Sequence, residues 1–326
     1  MNKINWGIIG CGDVTELKSG PAFSKVKNSC LVAVMRRDAD KAKDYAFRHG
    51  VPKWYADANL LINDPDINAI YVATPPSTHE KYAIAALTAG KAVYLEKPMA
   101  ISFEGANNIA NFSAQKNGKL VVAHYRREQP FFKKIKQLLA DKVIGDTRFV
   151  RLDFYKKALS QEALKDNRNA WRVDPSIAGG GLFHDLAPHQ LDLMYYFFGK
   201  AKSVTGVACN QAGFYKADDT VAGNILFNNG VMFTGQWSFG IEEIAEKDFC
   251  EIIGTNGKIG FSFFDGHSFT ATINDAVEQF SFDKLQHVQQ PMIEKVVAYF
   301  LSEVENPCSA NDGALIMKWM EEMTGR

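Results

Sequence analysis

The stretch Ala92-Val93-Tyr94-Leu95-Glu96-Lys97-Pro98 places a run of apolar residues directly before a charged pair and a proline. A short apolar run of this kind is typical of a strand buried in a parallel sheet. Pro98 cannot continue the strand pairing because it has no backbone N–H. In open α/β sheets the ligand crevice lies beyond the carboxyl ends of the strands. Lys97 is therefore predicted to stand at such a crevice.

A glycine-rich turn precedes this strand near the start of the chain. The apolar segment Lys3–Ile9 runs into Gly10-Cys11-Gly12-Asp13-Val14-Thr15. In the dinucleotide fingerprint G-x-G-x-x-G, the first glycine makes the tight turn and the second lets backbone amides approach a pyrophosphate. Thr15 replaces the third glycine, which mainly serves packing. A tight turn without a ligand is the alternative, but the place directly after the first strand favours dinucleotide binding. The predicted cofactor-binding residues here are Gly10, Gly12, Asp13 and Val14.

The end of the second predicted strand, Cys30–Met35, carries two arginines. NAD-binding domains place an acid here for the ribose 2′-OH, whereas this chain has Arg36 and Arg37. Guanidinium groups suit a 2′-phosphate, although a solvated pair is the alternative. Asp38 is predicted instead to cap the helix 39–49. The sequence thus favours NADP as cofactor, with NAD possible.

The remaining elements of the first 124 residues repeat the alternation of strand and helix. Ile67–Ala73 is predicted as a buried strand that is stopped by Pro75 and Pro76, and Ser77 or Thr78 is predicted to cap the next helix. This alternation predicts a doubly wound, parallel Rossmann domain over residues 1–124. The further predicted elements are helices at 82–89 and 102–117 and a strand at 119–123.

The pattern changes from Tyr125 onward, because consecutive strands are now joined by short turns such as Asn228-Asn229-Gly230. Residues 125–326 are predicted to form an α/β domain with an open, mainly antiparallel sheet. It would bind the substrate, and its outer sheet face would pair subunits in a homo-oligomer, a dimer or a tetramer. The predicted strands are 147–155, 203–211, 219–227, 231–239, 248–253, 258–263, 268–273 and 277–282, and the predicted helices are 129–140, 291–305 and 312–323.

One helical segment in this half carries the candidate chemistry. It follows Gly179-Gly180-Gly181, and Pro188 is tolerable only if the helix starts shortly before it. Asp185 and His189 are four residues apart and share one face. Upstream, the segment Trp171-Arg172 supplies a flat aromatic ring and a fixed cation.

Two other interpretations of this segment stay open. Asp185 could be only a helix cap, and His189 only a hydrogen-bonded core histidine. A metal site would use His184, Asp185, His189 and Asp192, but His184 and Asp185 are adjacent and point in different directions. Since no further Cys/His cluster completes a coordination shell, no metal is predicted.

The bulk composition excludes several classes of protein. Lys+Arg and Asp+Glu both number 37, so the net charge is zero and neither a nucleic acid nor an anionic membrane is indicated as a partner. No apolar run approaches the roughly 18 residues of a membrane span. The five cysteines are odd in number and without a C-x-x-C pair. With no signal peptide before the first strand, a cytoplasmic enzyme with reduced thiols is predicted.

Together these motifs resemble the glucose–fructose oxidoreductase/inositol dehydrogenase/MocA (Gfo/Idh/MocA) family over nearly the whole length. The resemblance rests on their joint order and spacing. Its marks are Gly10-x-Gly12, Ala73-Thr74-Pro75 with His79, Glu96-Lys97-Pro98, and Gly179-Gly180-Gly181 followed by Asp185-x-x-x-His189.

The resemblance implies NAD(P)-dependent oxidation or reduction of sugars, cyclitols or related diols. By it, Lys97, Asp185 and His189 match catalytic positions. Trp171-Arg172 is similar to the sugar and dihydrodiol branches, and would bind substrate together with the catalytic residues. This chain departs from the family at Thr15, at Arg36 and at Ser77, where many members carry asparagine. The residues implied at the cofactor are Thr74, Pro75, His79, Glu96 and Lys97.

The chemistry predicted from these residues is hydride transfer between a carbinol carbon and the nicotinamide. His189 is suited to proton transfer, and Lys97 can stabilise an alkoxide or share the proton role. Which of the two is the base stays open. The alternatives are an NAD-dependent glycosidase of the same fold and a non-catalytic NADP-binding regulator.

Overall fold

The computed structural model describes residues 2–264 and 266–325, apart from the side chains of Asn167 and Arg168. The chain divides into two compact units. The first comprises the residues up to Arg126 together with Leu285–Met317, and the second comprises Arg127–Lys284 together with the residues from Lys318 onward. The predicted boundary at 124/125 is close to the first division, but it misses the return of Leu285–Met317 to the first unit.

The first unit is built on a six-stranded sheet with the order β3-β2-β1-β4-β5-β6, in which every pairing is parallel. This order, which reverses beside β1, confirms the predicted doubly wound Rossmann sheet. The elements are β1 (Ile4–Ile9), α1 (Asp13–Leu17), α2 (Ala22–Lys25), β2 (Ser29–Met35), α3 (Ala39–His49), β3 (Lys53–Tyr55), α4 (Ala58–Ile62), β4 (Ala69–Val72), α5 (His79–Thr88), β5 (Ala92–Leu95), α6 (Phe103–Gln115) and β6 (Leu120–Val122).

Two helix starts in this unit test the predicted caps. Asp38 caps α3 as predicted, because its carboxylate accepts a hydrogen bond of 3.1 Å from the backbone N–H of Lys41. For α5, Thr78 stands at the N-cap position as predicted, but its side chain makes no capping hydrogen bond. Thr78 precedes α5, but its hydroxyl lies 2.8 Å from Thr74 Oγ1 and 3.0 Å from the carbonyl oxygen of Pro75, and bonds no helix amide. The threonine therefore stabilises the turn after β4 instead.

The second unit is built on an eight-stranded sheet with the order β14-β13-β12-β11-β7-β10-β9-β8. Among the strands that the structure describes, only β7 and β10 pair in parallel, so the predicted open and mainly antiparallel sheet is confirmed. The elements are α7 (Pro130–Ala140), β7 (Thr147–Lys157), α8 (Gln161–Lys165), α9 (Asn167–Ala170), α10 (Pro175–Ala178), α11 (Gly181–Phe198), β8 (Ala201–Cys209), β9 (Thr220–Phe227), β10 (Met232–Ile241), β11 (Lys247–Gly254), β12 (Gly257–Phe261), β13 (Ser268–Ile273) and β14 (Ala276–Ser281).

The long helix α11 packs on one face of this sheet. Along β10, buried residues such as Phe233 and Trp237 alternate with the exposed residues Met232 and Gln236. The indole ring of Trp237 lies 5.1 Å from the ring of Phe183, and its N–H donates to the side-chain oxygen of Gln190 at 2.6 Å. These contacts fix the buried face of α11, and with it the direction of the opposite face.

The start of α11 differs from the prediction. The helix begins at Gly181, so Pro188 lies inside it rather than in its first turn. Because proline lacks an N–H, the carbonyl of His184 receives no helical hydrogen bond from position 188. Gly180 precedes the helix, and a Cβ there would lie 2.0 Å from Nδ1 of His184. The histidine ring thus occupies the space that any other residue at 180 would need.

The segment Leu285–Met317 belongs to the first unit because its residues contact residues of the Rossmann sheet and its connections. Lys119 donates to the carbonyl oxygen of Phe300 at 2.7 Å, and the ring of Phe300 lies 5.6 Å from that of Trp6. The remaining helices are α12 (Gln290–Phe300) and α13 (Ala310–Thr324). Within residues 2–264 and 266–325, the helices fall short of the length and hydropathy that a membrane crossing requires.

Candidate active site

The glycine-rich turn joins β1 to α1 and leaves its backbone open. Gly10 has a φ of +94°, and a Cβ there would lie 2.8 Å from Cγ2 of Thr74, so only glycine fits. A Cβ on Gly12 would meet nothing closer than the carbonyl oxygen of Gly10, at 4.0 Å. The backbone at Gly12 is therefore accessible, as the approach of a pyrophosphate requires. These residues fit a dinucleotide.

Thr15 occupies the place of the third fingerprint glycine and is fully buried. Its hydroxyl donates to the carbonyl oxygen of Gly12 at 2.7 Å, and its own carbonyl accepts from the hydroxyl of Tyr45 at 2.7 Å. The threonine thus ties the turn to α3 without entering the open side. Asp13 and Val14 form the first turn of α1, where Asp13 is exposed and Val14 is half-buried.

The side chain of Arg36 reaches back to the same turn. It follows β2 directly, and its guanidinium donates to the carbonyl oxygen of Cys11 at 3.3 Å. Arg36 is half-buried, whereas Arg37 is exposed. Asp38, the acid nearest to this place in sequence, caps α3 and pairs with Lys41 at 3.2 Å. The charged group that reaches the turn from the end of β2 is therefore a guanidinium.

His79 does not take the ligand-facing place that was predicted for it. Its ring is fully buried, with Nδ1 2.9 Å from the carbonyl oxygen of Pro98 and Nε2 2.7 Å from that of Thr74. Burial lowers the pKa of His79 and outweighs the opposite effect of the two carbonyl groups. We therefore assign His79 to holding the turn after β4 against the turn after β5. Thr74 and Pro75, in the turn after β4, are half-buried.

Glu96 is likewise buried, with 6% of its surface exposed, instead of facing a cofactor. Its carboxylate accepts hydrogen bonds from the hydroxyl of Tyr71 at 2.5 Å, from the side-chain amide of Gln289 at 2.6 Å, and from the backbone N–H of Lys97 at 3.1 Å. Glu96 therefore fixes the backbone from which the half-buried side chain of Lys97 extends. Lys97 stands at the carboxyl end of β5, as predicted.

In the second unit, Asp185 is the fifth residue of α11 and forms an ion pair with Arg172. Its Oδ2 accepts from Nε of Arg172 at 3.1 Å, and the guanidinium carbon of Arg172 lies 4.7 Å from the ring centroid of Trp171. The three residues that were predicted from separate motifs are thus brought together. Gly180 is the N-cap of α11, so the interpretation of Asp185 as a helix cap is wrong.

His189 lies one turn beyond Asp185 on the same face of α11. It is 5% exposed, and its ring centroid is 5.8 Å from that of Phe264, which follows β12. The aromatic contact fixes the plane of the imidazole beside the ion pair of Asp185.

The two carboxylates that were considered as metal ligands, those of Asp185 and Asp192, both accept hydrogen bonds from arginine side chains. Asp192 is buried and accepts from Nε and Nη2 of Arg127 at 2.6–3.1 Å, while Asp185 pairs with Arg172. Within the described part of the chain, no three His, Cys, Asp or Glu residues are grouped so that they could hold a metal ion. Both carboxylates of α11 are thus held by arginine side chains.

Three residues of the candidate site were missed by sequence reasoning. Gln289 is 193 positions from Glu96, and nothing in the sequence relates the two. Phe264 is one of 23 phenylalanines, and only the fold places it on His189. The sequence did contain a cue for Arg127, because an acid such as Asp192 on a buried helix face requires a cationic partner.

The six-stranded parallel sheet with its accessible Gly10–Gly12 turn gives the first unit the architecture of a dinucleotide-binding domain. Residues 4–124 match the model for an oxidoreductase family with an NAD-binding Rossmann fold, and residues 132–260 match the GFO/IDH/MocA C-terminal domain. The chain therefore belongs to the GFO/IDH/MocA family of oxidoreductases.

Three curated relatives illustrate the range of similarity. Oxidoreductase P35 of Formosa agariphila is 46% identical over 324 residues, which cover 99% of each chain. The 1,5-anhydro-D-fructose reductase of Ensifer adhaerens is 26% identical over 79% of this chain and 75% of that protein. The trans-1,2-dihydrobenzene-1,2-diol dehydrogenase of Bos taurus is 30% identical over 70% of this chain and 66% of that protein.

Solved structures share the fold over almost the whole chain. Levoglucosan dehydrogenase in complex with NADH and levoglucosan superimposes with a TM-score of 0.89 at 21% identity, covering 98% of this chain and 96% of that one. The aldose–aldose oxidoreductase of Caulobacter crescentus has a TM-score of 0.86 at 20% identity, with the same coverage. At these identities the likeness establishes the architecture alone.

Proposed function

We propose that this oxidoreductase transfers a hydride between a nicotinamide cofactor and a secondary alcohol or ketone of a small polyol, which is a sugar, a cyclitol or a related diol. The observation that carries the proposal is the position of Lys97, at the carboxyl end of β5 in the sheet whose Gly10–Gly12 turn fits a dinucleotide. The names of the relatives, which include an anhydrofructose reductase and a dihydrodiol dehydrogenase, support this substrate class.

The proposed roles follow from the chemistry of the side chains. The backbone at Gly10 and Gly12 would hold the cofactor's pyrophosphate, and bound nicotinamide would supply the site that accepts or donates the hydride. The ammonium group of Lys97 donates a hydrogen bond to the reacting oxygen and stabilises negative charge there. His189 takes up or returns the hydroxyl proton, and Asp185 with Arg172 and Trp171 orients the substrate.

The proposal is tested by following absorbance at the nicotinamide band while a panel of sugars, cyclitols and diols is offered with NAD and with NADP. Net reduction of a cofactor by at least one compound is expected. Release of sugar from a glycoside without net cofactor reduction would instead identify a glycosidase. Tight cofactor binding with no turnover of any compound would favour a regulator.

NADP is the proposed cofactor, because Arg36 places a guanidinium at the turn where an acid would repel a 2′-phosphate. Hydrogen bonds to charged groups contribute about 1.5–3 kcal/mol, which corresponds to roughly 10- to 100-fold in affinity. Arg36→Asp is therefore expected to weaken NADP binding by about that factor and to change NAD binding little. Dissociation constants for both cofactors, measured by titration calorimetry at two salt concentrations, check this.

Arg37→Asp is the matched control for that measurement, because Arg37 is adjacent to Arg36 and exposed. It is expected to change the NADP affinity much less. Tighter binding of NAD than of NADP by the unmutated protein would refute the proposed preference.

The Asp185→Asn variant is expected to lose about tenfold in kcat while its Tm falls by no more than a few degrees. The substitution keeps the shape of the side chain but removes its ion pair with Arg172, which is partly exposed and so adds little stability. Steady-state kinetics and thermal unfolding measure the two effects, with Asp283→Asn at an exposed position of the same unit as control. If the variant is extensively unfolded but its folded fraction has normal specific activity, the role of Asp185 is structural.

A homo-oligomer is also proposed, through the outer face of the second sheet. There Phe149 and Met232 are neighbours on β7 and β10, and they are 45% and 55% exposed. Light scattering is expected to report a dimer or a tetramer, and Phe149→Glu with Met232→Glu should lower the mass to that of the monomer. A monomeric unmutated protein at micromolar concentration would overturn this proposal.

A reducing, cytoplasmic location is proposed as well. The five cysteines are free thiols in the structure, and Cys11, Cys250 and Cys308 are buried. Burial raises the pKa of the Cys11 thiol to about 11, so that very little reactive thiolate forms at neutral pH. These properties suit a protein that works with its cysteines reduced.

A further inference from the structure

Residues 286–289, which we call the return segment, lead the chain back into the first unit directly before α12. One set of hydrogen bonds joins this segment to α1, the helix that begins at the glycine-rich turn. A second set joins it to Glu96, the residue before Lys97. The return segment therefore contacts both the element that fits a dinucleotide and the element that carries the candidate catalytic lysine.

The first set of bonds holds the carboxyl end of α1. Nδ1 of His287 lies 2.6 Å from the carbonyl oxygen of Leu17, and the backbone N–H of Gln289 donates to that of Lys18 at 3.1 Å. Carbonyl groups at the end of a helix have no partner within the helix and need one from elsewhere. Nε2 of His287 lies 2.7 Å from Nζ of Lys25, so the imidazole ring is held on both sides. The return segment is thus fastened to α1.

The second set of bonds passes through the side-chain amide of Gln289. Its Nε2 donates to Oε1 of Glu96 at 2.6 Å, and its Oε1 accepts from the hydroxyl of Tyr94 at 3.0 Å. The hydroxyl of Tyr71 donates to the same oxygen of Glu96. Burial raises the pKa of Tyr71 and of Tyr94 well above the ordinary value, so both hydroxyls stay protonated and serve as donors.

These side chains form a cluster with a single arrangement. Tyr71 and Tyr94 are register neighbours on β4 and β5, and their rings stack with 5.1 Å between the centroids. Both tyrosines and Gln289 are fully buried. A buried polar group that turned away from its partner would be left unpaired, which is costly in a core. The amide of Gln289 is therefore held in one orientation.

The orientation of Glu96 determines how Lys97 is held. Tyr71 and Gln289 donate to Oε1 of Glu96, while Oε2 accepts from the backbone N–H of Lys97 at 3.1 Å. The last torsion of a glutamate side chain has a broad energy profile, so a carboxylate with fewer donors turns easily. Loss of the amide of Gln289 would therefore release the N–H of Lys97 from its acceptor.

We propose that Gln289 is a positioning residue for hydride transfer. Through Glu96 it sets the place of Lys97, and through its backbone it ties that place to α1 and the dinucleotide turn. The inference rests on the proposed function, in which the ammonium group of Lys97 contacts the reacting oxygen. A displacement of about 1 Å in an active site costs on the order of 10²-fold in rate, so a buried residue can govern kcat without contacting the substrate.

Gln289→Met is the main test, because methionine is similar in length and volume but cannot donate a hydrogen bond. We expect kcat to fall by about 10- to 100-fold, while KM for the substrate and Kd for the cofactor change by less than about threefold. The cofactor affinity is retained because the backbone N–H of Gln289 still holds α1.

Gln290→Met is the matched control. Gln290 is the next residue in the chain, and its amide donates to Glu294 on α12 at 3.2 Å, away from Glu96. This variant should keep the kcat and the KM of the unmutated protein.

Amide hydrogen exchange provides a readout that needs no turnover. With the preferred nicotinamide cofactor bound, the N–H of Lys97 should exchange at least ~10-fold faster in Gln289→Met than in the unmutated protein. The N–H of Ala83, a buried residue of α5, should exchange at the same rate in both. Because global unfolding exposes all amides together, a change confined to Lys97 separates positioning from a loss of stability.

An exchange of the two side chains tests the contact itself. Gln289→Glu puts a carboxylate oxygen in the place of a nitrogen that lies 2.6 Å from Glu96, so it should lower kcat at least as much as Gln289→Met. In the double variant Glu96→Gln with Gln289→Glu, an amide again faces a carboxylate, and the carbonyl oxygen at position 96 can accept from the N–H of Lys97. The double variant should recover at least ~10-fold in kcat over Gln289→Glu.

The outcomes separate this inference from the proposed function. Unchanged exchange at Lys97 in Gln289→Met, or an unchanged kcat per cofactor-binding site, overturns positioning by Gln289. Faster exchange at Lys97 and Ala83 alike, with a lower Tm, overturns it as well and assigns Gln289 to stability alone. No turnover of any polyol by the unmutated protein with either cofactor overturns the proposed function, and the exchange rates still decide whether Gln289 sets the place of Lys97.

Discussion

The Lys97→Met variant is expected to lose at least ~10²-fold in kcat while its affinity for the reduced cofactor stays nearly unchanged. Methionine keeps an unbranched side chain but removes the ammonium group that we assign to the reacting oxygen. The backbone at position 97 is fixed independently of that side chain, through its N–H donated to the buried carboxylate of Glu96. The substitution should therefore remove a chemical group without displacing the end of β5.

A second substitution at this position distinguishes two possible roles of Lys97. Arginine keeps the positive charge and the hydrogen-bond donors, but it does not release a proton in proteins. If Lys97 only stabilises charge on oxygen, Lys97→Arg should retain more activity than Lys97→Met. If Lys97 acts as the base, the two variants should be equally inactive.

Steady-state and single-turnover kinetics on the identified substrate provide the measurement, and fluorescence titration gives the cofactor affinity. Lys81→Met is the matched control, because Lys81 is an exposed lysine on α5 of the same unit. Near-normal kcat in Lys97→Met would contradict the role proposed for this residue. Equal losses in cofactor affinity and kcat would place the ammonium group in nucleotide binding instead.

The sequence predicts the elements of this fold well where the hydrophobic period is regular. The apolar runs that end at Lys97 and at Thr74 are buried strands of the parallel sheet, as their composition requires. In the second half, the short turn at Asn228–Gly230 joins neighbouring antiparallel strands. Such elements can be predicted because a strand that buries one or both of its faces carries the matching hydrophobic pattern in its own sequence.

The partners of motif residues were harder to predict, because a motif specifies the order of residues but not the direction of their side chains. Glu96 and His79 stand next to the predicted crevice in sequence, yet both side chains point into the core and hold the strand ends. Gln289 completes the hydrogen bonds of Glu96 from a segment that returns after the whole second unit. Long-range returns of this kind leave no periodic signal.

The candidate residues on α11 were predicted together, but the features that support them were not. A helix with Pro188 in its interior is disfavoured by local rules, and here tertiary contacts outweigh the missing hydrogen bond. Among these contacts are the Arg127–Asp192 ion pair, and the rings of Phe183 and Trp237. The sequence therefore identifies the candidate residues of α11, whereas the residue at which the helix begins depends on tertiary contacts.

Replacement of His189 by alanine is expected to lower kcat at least ~10²-fold, since the imidazole is the group proposed to carry the hydroxyl proton. Alanine also removes the contact with the ring of Phe264, so His189→Gln, which keeps side-chain bulk and polarity, separates proton transfer from packing. Both variants should be similarly inactive if proton transfer is what matters. His267→Ala, at an exposed histidine of the same unit, should be fully active.

Two readouts make this test independent of any structural damage. If the imidazole carries the hydroxyl proton, kcat of the unmutated enzyme should depend on pH, and this dependence should disappear in His189→Gln. Added imidazole should restore part of the activity of His189→Ala, because the small ring can enter the space left by the side chain. If His189→Gln keeps the pH profile and most of the activity, His189 is a packing partner of Phe264, and the proton role passes to Lys97.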